Sequence, residues 1–580
     1  MLKYTSEKLF MSRWLNKPRV TPNISSHLPS LFLRKCPEEE EYQSRLKEEL
    51  EIIEKSNFEK IFIQAALVVR SVDFQYICRG SAASSLVCFL LGITHIDPIS
   101  NKMQFARFLN HKRNNQPDID LDFPQNLREK VFEKIYDLFY CRVGHVINHL
   151  AWRERGATRE ALRLNKGEKN SSTAALAAKL LNTHKGDSLH CGGVVIFDDR
   201  VPEKFVNTCL KGKFVPKLNI NKKETEEAGL VKLDILSNRG LSILNDLDSK
   251  RNICDYPADD PAVIKLLDDC DVIGITFVET PLVIKTMRII KPQSPAELSL
   301  CLALVRPGPD KKRIIAQLNR CRNPNDLGLV YDDDVIEYIS QILDVDVAEG
   351  DTMRKILSKN REEDWDDFEK KLLDRYPPWK AQQMIKNCGL VKRYTFCKSH
   401  SLNYAYMCWA MLWHKAHNPA KFWAAVLTHA DSQYERWIYF RQAIEGGFDV
   451  ELAKHRGKKW KTHKNRIYVS DTPQKQMQLS CFMTDSARWK QLEEYGFWVG
   501  KGFDAFFCDG EKFCGLIACS RRYKCDDGSF VSFVTIGVGE KKFFNITVIG
   551  KLDKRSKVLS GKGKKISEWE VYAGEDWSEY

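Results

Sequence analysis

The sequence predicts a multidomain α/β protein, and three observations support that prediction. The chain has 580 residues, which is too long for one hydrophobic core and suggests three to five domains. Residues 117–123 and 229–236 have the pattern of strands that carry acidic side chains, and helical periodicity follows each of them. Residues 251–430 are mainly helical in spacing, whereas residues 505–580 contain short alternating strands typical of a small β-barrel.

Composition restricts the class of protein. The chain is 43% hydrophobic and 29% charged, as in soluble globular proteins, and it contains neither a bilayer-length apolar run nor a signal-peptide pattern. We therefore expect a cytoplasmic protein that does not associate with membranes. The net charge of +13 favours a polyanionic partner, with nucleic acid as the first candidate. The 18 cysteines include no Cys-x-x-Cys pair, so we expect reduced thiols that mostly pack in the core.

The centre of the predicted site is a strand in which carboxylates alternate with apolar residues. Alternate side chains of a strand face opposite sides of the sheet, so the apolar residues can enter the core while Asp118, Asp120 and Asp122 point together into a cleft. Like charges so close repel each other, and a divalent cation relieves that repulsion. Mg²⁺ prefers oxygen ligands and leaves room for substrate phosphates and water. We therefore expect a site for phosphoryl transfer.

A second strand, at residues 229–236, supplies another acidic side chain. Lys232 and Asp234 share one face of this strand, and apolar residues occupy the other. A lone aspartate in an apolar strand is unfavourable to bury unless it is paired or bound to a metal. Asp234 is therefore the candidate third carboxylate of the cleft, and a salt bridge to a nearby arginine is the alternative.

Two stretches allow a structural as well as a functional interpretation. Residues 79–85 place small side chains at a turn that enters a helix, where backbone N–H groups could meet a phosphate. For this stretch taken alone, close helix packing is the favoured interpretation. Residues 190–196 combine a histidine, a cysteine and two glycines, and we expect a structural glycine turn at the cleft edge rather than a thiol nucleophile.

Charged clusters occur at several places. Residues 353–359 carry cations at the helical spacing that a triphosphate clamp requires, and residues 396–401 combine a cation, a hydroxyl and an imidazole. Residues 454–466 hold the densest positive charge and an aromatic ring suited to a sugar or base. The acidic run from Asp332 to Asp334 lacks an apolar strand frame, and we expect it at the surface. The candidate DNA-contacting residues are Arg153, Arg155, Arg159, Lys458, Lys459, Trp460 and Lys461.

In their order along the chain, these motifs resemble the α subunit of bacterial DNA polymerase III, that is, the C-family DNA polymerases. The resemblance is dense over residues 42–430 and weakens beyond them. The matching segments are residues 79–81, 107–110, 117–123, 190–196, 230–234, 306–309, 350–359 and 398–401. In the family, the first is the nucleotide loop, the next four belong to the palm, and the last three are fingers motifs that hold the incoming nucleotide.

The resemblance implies a polymerase β-like nucleotidyltransferase palm, a reduced thumb and mostly helical fingers, and the C-terminal barrel is expected to be OB-like. It implies a template-directed DNA polymerase that adds dNTPs to a primer 3′-OH by two-metal-ion phosphoryl transfer. Asp118, Asp120 and Asp234 would be catalytic and hold two Mg²⁺ ions, while Asp122 takes a supporting or surface role. The implied nucleotide-binding residues are Arg79, Gly80, Ser81, Arg107, Lys232, Arg306, Arg354, Lys355, Lys359, Lys398, Ser399 and His400.

The same comparison sets the expected domain boundaries. They are an N-terminal extension at 1–41, a palm at 42–144 and 188–250, a reduced thumb at 145–187, fingers at 251–430, a basic connecting region at 431–504 and an OB-like β-barrel at 505–580. About 40 residues precede the palm, so we expect a shortened form that lacks the family's N-terminal phosphoesterase-like domain and does not proofread in cis. Such trimming suggests a virus-encoded or accessory polymerase.

The expected partners are primer-template DNA, dNTPs and, with other replication proteins, a sliding clamp. A pentapeptide at residues 478–482 resembles a clamp-binding motif through Gln478, Leu479 and Phe482. Two alternatives remain for the function. One is a catalytically idle nucleic-acid-binding replication subunit, which a broken carboxylate set would mark. The other is a template-independent nucleotidyltransferase, which the fingers motifs disfavour.

Overall fold

The computed structural model describes most of the chain in two compact units. The described residues are 28–112, 116–208, 216–305, 329–359, 361–389, 396–430, 434, 436–450, 459–468, 507–508, 512–525, 528–538, 542–553, 558–567, 570–575 and 577–579. The first unit comprises residues 1–241 and 328–403, and the second comprises residues 242–327 and 404–580. Five of the predicted site residues lie outside the described residues. They are Arg306, Lys458, Gln478, Leu479 and Phe482.

Both units contain α-helices. In chain order they are α1 (Glu40–Lys55), α2 (Glu59–Arg70), α3 (Leu86–Leu90), α4 (Arg128–Phe139), α5 (Glu154–Leu164), α6 (Ser171–Leu180), α7 (Lys222–Glu227), α8 (Arg239–Leu247), α9 (Pro261–Asp268), α10 (Pro281–Ile290), α11 (Pro295–Leu304), α12 (Asp332–Leu343), α13 (Val347–Ser358), α14 (Glu362–Arg375), α15 (Pro378–Gly389), α16 (Lys398–His417), α17 (Pro419–Thr428) and α18 (Arg436–Glu445). Among the described residues, no helix has the length and apolar character that crossing a membrane requires.

The first unit is built on a mixed sheet of seven strands, which we call the central sheet. Its strands are β1 (Ile77–Arg79), β2 (Ile119–Pro124), β3 (Val143–Ala151), β4 (His184–Ile196), β5 (Val206–Thr208), β6 (Lys217–Asn221) and β7 (Lys232–Asn238). Their spatial order is β1-β2-β7-β4-β3-β6-β5. β2 and β7 pair in parallel, and β4 pairs antiparallel with both β7 and β3. The two predicted acidic strands therefore lie side by side.

One face of the central sheet is the core of the first unit. Ile119, Leu121 and Phe123 are fully buried in one hydrophobic cluster with residues of α2 and α4. The predicted alternation is thus observed, because the apolar half of β2 packs against helices and leaves the acidic half on the opposite face. The helical periodicity predicted after the first acidic strand corresponds to α4, whose buried residues include Val131 and Ile135.

A pair of helices is inserted in the sequence between two neighbouring strands of the central sheet. β3 and β4 form an antiparallel ribbon, and α5 and α6 lie in the sequence between them. The ribbon extends to the pair of Ala151 and His184, where the chain leaves for these helices. Both helices fall inside residues 145–187, the segment predicted as a reduced thumb, whereas residues 145–151 and 184–187 of that segment belong to the two strands.

The second unit contains helices and two further sheets. A small sheet joins β8 (Asp449–Val450), β9 (Lys461–His463) and β10 (Arg466–Tyr468). The larger sheet has eight strands, β11 (Phe507–Cys508), β12 (Lys512–Lys524), β13 (Phe530–Val538), β14 (Lys542–Ile549), β15 (Val558–Lys562), β16 (Lys564–Ser567), β17 (Glu570–Gly574) and β18 (Trp577–Glu579). These eight strands lie in residues 505–580, the region for which short alternating strands were predicted.

Candidate active site

Three carboxylates converge at the edge shared by β2 and β7. Asp120 of β2 lies directly opposite Asp234 of β7 in the parallel register, and Asp118 immediately precedes β2. The carboxylate oxygens that these three residues offer lie within 4.8 Å of one another. Asp118 is exposed, Asp120 half-buried and Asp234 buried, so the cluster runs from solvent into the protein. Residues more than a hundred positions apart thus form one acidic pocket.

The innermost carboxylate has an oxygen without a hydrogen-bond donor. Oδ1 of Asp234 is buried and accepts no hydrogen bond from any residue that the structure describes. Nδ1 of His190 lies 3.5 Å from it, but this nitrogen accepts the backbone N–H groups of Gly192 and Gly193 at 3.3 and 2.8 Å. The proton of a neutral His190 is therefore on Nε2, and Nδ1 cannot donate to Asp234. An oxygen left open in this way fits a cation ligand.

Electrostatics in the pocket also favours a cation. Burial, together with the charges of Asp118 and Asp234, raises the pKa of Asp120 to about 7. Nζ of Lys232 donates to Oδ2 of Asp234 and lies 3.7 Å from Oδ1 of Asp118. Burial opposes the charge on this ammonium, but the surrounding carboxylates outweigh it and raise the pKa of Lys232. Lys232 and Arg79 carry two positive charges beside the four carboxylates of Asp118, Asp120, Asp122 and Asp234, so a proton or a metal ion is favoured as further compensation.

Arg79 and Asp122 form a second layer behind the pocket. Nε of Arg79 lies 3.6 Å from Oδ2 of Asp120 and 3.5 Å from Oδ1 of Asp122. Asp122 is buried, and its other oxygen accepts a hydrogen bond of 2.9 Å from the side-chain amide of Asn238. The surface role considered for Asp122 is therefore wrong. Its charge instead holds the Arg79 guanidinium beside Asp120.

The glycine pair at residues 192 and 193 lies within β4, and the predicted turn there is wrong. The β3–β4 register passes from His145–Val194 to Ile147–Leu189, so residues 190–193 bulge away from β3. A Cβ on Gly192 would lie 2.1 Å from the carbonyl oxygen of Ile235 in β7. Glycine is required here because two backbones approach too closely for a side chain. The bulge is what places the His190 ring beside Asp234.

The predicted nucleotide loop is held by the start of α16. Ser399 is fully buried and donates through Oγ to the carbonyl of Gly80 at 2.7 Å, and Nδ1 of His400 accepts the Gly80 N–H at 3.2 Å. Gly80 has a φ of +73°, which only glycine adopts readily. These two side chains thus bind the loop backbone, which supports the Arg79 side chain. Ser81 begins the adjoining turn and is half-buried.

The small residues after this loop serve helix packing, the interpretation favoured for that stretch alone. α3 is only five residues long, and its first two backbone N–H groups, those of Leu86 and Val87, donate to the carboxylate of Glu49 at 2.8 and 3.0 Å. Glu49 is completely buried and is paired with Arg45. Because a protein carboxylate already occupies this helix N-terminus, it is closed to a phosphate.

Two predicted phosphate-binding arginines lie in a buried ionic network. Arg354 pairs with Asp351 at 2.9 Å and with Asp332 at 3.3 Å, and Arg107 donates to the other oxygen of Asp332. Asp332 and Asp351 are 3% and 0% exposed. The surface location expected for the run from Asp332 to Asp334 is therefore wrong for Asp332 and Asp333, and Arg354, a predicted nucleotide-binding residue, is paired with carboxylates of the protein. The network joins α12 and α13 to residue 107.

Asp333 extends the same network by accepting hydrogen bonds from two backbone N–H groups. Its carboxylate accepts the N–H of Gln104 at 2.8 Å and that of Lys398 at 3.3 Å. Burial raises the pKa of Asp333 to about 6 despite those hydrogen bonds. Two adjacent acidic residues thus connect three chain segments of the first unit.

Three predicted nucleotide-binding cations are more accessible. Lys355 is partly exposed and lies 3.9 Å from Oδ2 of Asp351, and Lys359 is exposed at the end of α13. Lys398, at the start of α16, donates to the carbonyl of Lys102 at 3.3 Å. These lysines can reorient toward a phosphate at a lower energetic cost than the buried Arg354.

The basic candidates outside the pocket differ in exposure. Arg153, Arg155 and Arg159 are exposed, at the start of α5 and along it. Trp460 is buried, with its ring 5.3 Å from that of Phe440, so the prediction that it stacks on a sugar or base is wrong. Lys459 pairs with Asp246 at 3.1 Å, and Lys461 lies in β9.

The larger sheet of the second unit presents aromatic and basic side chains on its exposed face. Its pairing places Arg521, Phe533, Thr547, Tyr572 and Lys564 opposite one another on five consecutive strands, and we call this set the barrel row. Phe533 and Tyr572 are 52% and 43% exposed. Directly opposed residues share a face of the sheet, so cations lie at both ends of a pair of exposed rings.

Sequence reasoning missed Asp332, Asp351, Glu49 and the barrel row. The acidic residues lie on helices or near polar loops, where an isolated acidic residue usually indicates solvent. The members of the barrel row are separated by turns, and only the strand register aligns them. A signal was present for Asp351, which precedes Arg354 by three residues and so shares its helix face.

Comparison with known proteins gives matches to two family models. Residues 20–170 match the family model described as "Bacterial DNA polymerase III alpha NTPase domain", and residues 233–377 match "Bacterial DNA polymerase III alpha subunit finger domain". Together these two matches span about half of the chain.

Curated relatives agree with these matches. The chain is 28% identical over 467 residues to the DNA polymerase III subunit alpha of Thermotoga maritima, covering 77% of this chain and 53% of that protein. It is 26% identical over 450 residues to the error-prone DNA polymerase of Alkalilimnicola ehrlichii, covering 65% and 44%. For the DNA polymerase III subunit alpha of Aquifex aeolicus the identity is 26% over 509 residues, covering 71% and 43%. The chain spans about half the length of the curated relatives it matches.

Proposed function

Because the chain belongs to the bacterial DNA polymerase III α-subunit family, we propose that it is a template-directed DNA polymerase that adds dNTPs to a primer 3′-OH. One observation carries the proposal. Asp118, Asp120 and Asp234 converge from two parallel strands, and the most buried of their oxygens has no donor among the described residues. Such a pocket fits the divalent metal chemistry of nucleotide transfer.

The three carboxylates are the proposed ligands of two Mg²⁺ ions. When bound, these ions supply activation of the primer hydroxyl and neutralisation of the triphosphate. The protein's own groups set the charge of the pocket. Lys232 orients Asp234, and Arg79 restrains Asp120 from the opposite side while Asp122 holds its guanidinium. Charge arranged in advance in this way stabilises a transition state by several kcal/mol because little reorganisation is needed.

The other predicted nucleotide-binding residues have two proposed roles: some contact the nucleotide, and some position groups around it. We propose that Lys355, Lys359 and Lys398 contact the triphosphate, because they are the accessible cations of the predicted set. Ser399 and His400 act through the Gly80 backbone instead, and Arg107 and Arg354 act through the network with Asp332.

We assign the central sheet to a palm of the polymerase β-like type and the insertion at residues 145–187 to a reduced thumb. The exposed Arg153, Arg155 and Arg159 would meet the duplex backbone there. The eight-stranded sheet would be the OB-like domain, with the barrel row as its surface for single-stranded DNA. Two features stay predictions. One is the absence of proofreading, and the other is that a sliding clamp binds the pentapeptide at residues 478–482.

Primer extension tests the proposal. The wild-type chain is supplied with a primed template, all four dNTPs and Mg²⁺, and the expected product is a template-length strand that requires both template and metal. Asp118→Asn should abolish extension while fluorescence anisotropy shows unchanged DNA binding. Asp137→Asn, on the exposed face of α4, is the matched control and should extend normally.

Each other outcome identifies a different function. DNA binding without extension by the wild-type chain would indicate an idle replication subunit, and extension without a template would indicate a template-independent transferase. Full extension by Asp118→Asn would overturn the assignment of the pocket.

A further inference from the structure

A second group of potential metal ligands lies on the ribbon formed by β3 and β4. His149 of β3 and both His184 and Asp187 of β4 bring one ligand atom each within 4.8 Å of the others. His149 is opposite Asp187 in the antiparallel register, and His184 is opposite Ala151 at the end of the ribbon. All three side chains belong to the first unit and are exposed.

Both imidazoles face the same carboxylate oxygen. Nδ1 of His149 and Nε2 of His184 lie 2.7 and 2.9 Å from Oδ1 of Asp187. Lys217 of β6 holds the other carboxylate oxygen at 3.8 Å. Two ring nitrogens and one carboxylate oxygen therefore lie close enough together to share one cation, and all three residues are exposed to solvent.

A second carboxylate completes a pattern that is typical of metal-binding histidines. Nε2 of His149 lies 3.2 Å from Oε2 of Glu224, and that oxygen also accepts the backbone N–H of Asn221 at 2.8 Å in the capping box of α7. Metal-ligating histidines usually donate their second ring nitrogen to a carboxylate fixed in this way.

The partners of the two His149 ring nitrogens favour a positive charge at this place, either a proton or a metal ion. Both of its ring nitrogens face carboxylate oxygens, yet a neutral imidazole carries a single N–H. If that N–H points to Glu224, the lone pair of Nδ1 faces the anionic Asp187, and only an added proton or a metal ion removes the repulsion. A cation between Nδ1, Nε2 of His184 and Oδ1 of Asp187 satisfies all three groups at once.

We propose that His149, His184 and Asp187 form a binding site for a divalent transition metal of the Zn²⁺ class that links β3 to β4. Two imidazoles and a carboxylate with an open fourth position suit Zn²⁺ and disfavour Mg²⁺, which prefers oxygen ligands. Ligand atoms about 2.05 Å from a tetrahedral ion lie roughly 3.3 Å apart, so each N···O separation has to widen by about 0.5 Å. Exposed side chains on a ribbon can make that adjustment.

The position of the site gives the metal a structural role. The ribbon ends at the pair of Ala151 and His184, and the chain that leaves it forms α5 and α6. An ion bound there ties the two strands together at the base of this insertion. It thereby fixes how the helices that carry Arg155 and Arg159 leave the sheet.

Zinc titration of the metal-free full-length protein, in competition with a chromophoric chelator, tests the proposal. Since cysteine thiols also bind Zn²⁺, the measured quantity is the difference between variant and wild type in the number of Zn²⁺ equivalents bound. The double variant His149→Gln/His184→Gln should bind one Zn²⁺ equivalent fewer than the wild type. His417→Gln is the matched control, because His417 pairs with Asp260 but belongs to neither group of potential metal ligands among the described residues, and it should lose none.

Chemical labelling provides a second measurement that needs no variant. Zn²⁺ should slow diethyl pyrocarbonate modification of His149 and His184 in the wild-type protein at least tenfold, while labelling of the exposed His463 is unchanged. Equal zinc equivalents in the wild type and the double variant, together with unchanged labelling of both histidines, would overturn the proposal. Neither measurement depends on DNA synthesis, so failure here is distinguishable from failure of the proposed function.

Discussion

Replacing Arg354 by methionine tests whether this arginine supports the fold or binds nucleotide. The change retains the volume of the side chain but leaves Asp351, which is 0% exposed, without the two hydrogen bonds of 3.2 and 2.9 Å that the guanidinium donates. Removing one partner of a buried ion pair costs about 3–5 kcal/mol, because the other charge stays buried without compensation.

The structure favours the low end of that range. Asn110 and Lys355 remain 3.5 and 3.9 Å from the second oxygen of Asp351, and Arg107 still pairs with Asp332. We therefore expect a loss of about 3 kcal/mol, which lowers the melting temperature of the first unit by roughly 5–10 °C. Combining Arg354→Met with Asp351→Asn should recover most of the loss, since the uncompensated charge is then removed.

Lys355→Met is the matched control on the same helix. Its ammonium is partly exposed, so the melting temperature should change little, while the KM for dNTPs should rise if this lysine contacts the triphosphate. Differential scanning calorimetry and steady-state primer extension measure the two quantities. An Arg354→Met protein that melts within about 1 °C of the wild type, but whose KM for dNTPs rises tenfold, would refute the structural assignment.

Three further predictions address the pocket, the glycine bulge and the barrel row. Because burial and neighbouring carboxylates raise the pKa of Asp120 from 3.8 to about 7, the metal-free protein should hold a proton there below about pH 7, and Mg²⁺ must displace it. Mg²⁺ affinity, measured by calorimetry, should fall about tenfold per pH unit below pH 7, and a flat profile would contradict this linkage. Gly192→Ala should lower the free energy of unfolding by about 1–3 kcal/mol and reduce the melting temperature, since the added Cβ would lie 2.1 Å from a backbone oxygen. Gly389→Ala is the control and should not lower the melting temperature, because the added Cβ would have no atom within 4 Å. Phe533→Ala should weaken single-stranded DNA binding about tenfold in an anisotropy assay, because stacking contributes about 1–3 kcal/mol per base. Trp379→Ala, which removes an exposed ring of the first unit, is the control. Equal weakening by both substitutions would contradict a specific DNA-binding surface at the barrel row.

The sequence by itself determined the features that depend on local periodicity. Strand β2 was predictable because its apolar residues recur every second position, and α4 because its apolar residues recur at helical spacing. Asp234 was predictable as the third carboxylate because an acidic residue within a buried strand requires compensation. Family motifs share this property, since each is a short run of residues that can be recognised without its neighbours in space.

The tertiary structure decided which charges are compensated, and by what. Arg107 and Asp332 are 225 positions apart in the chain, and no local pattern indicates that they pair. The same reason explains why Arg354 is buried in a network, why Trp460 packs in the core, and why the glycine pair lies in a bulge instead of a turn. A charged or aromatic side chain has one set of local preferences, but its environment depends on residues brought to it from elsewhere in the sequence. The position of each acidic strand was therefore local information, whereas the pocket depends on the parallel pairing of β2 with β7, which places Asp120 opposite Asp234.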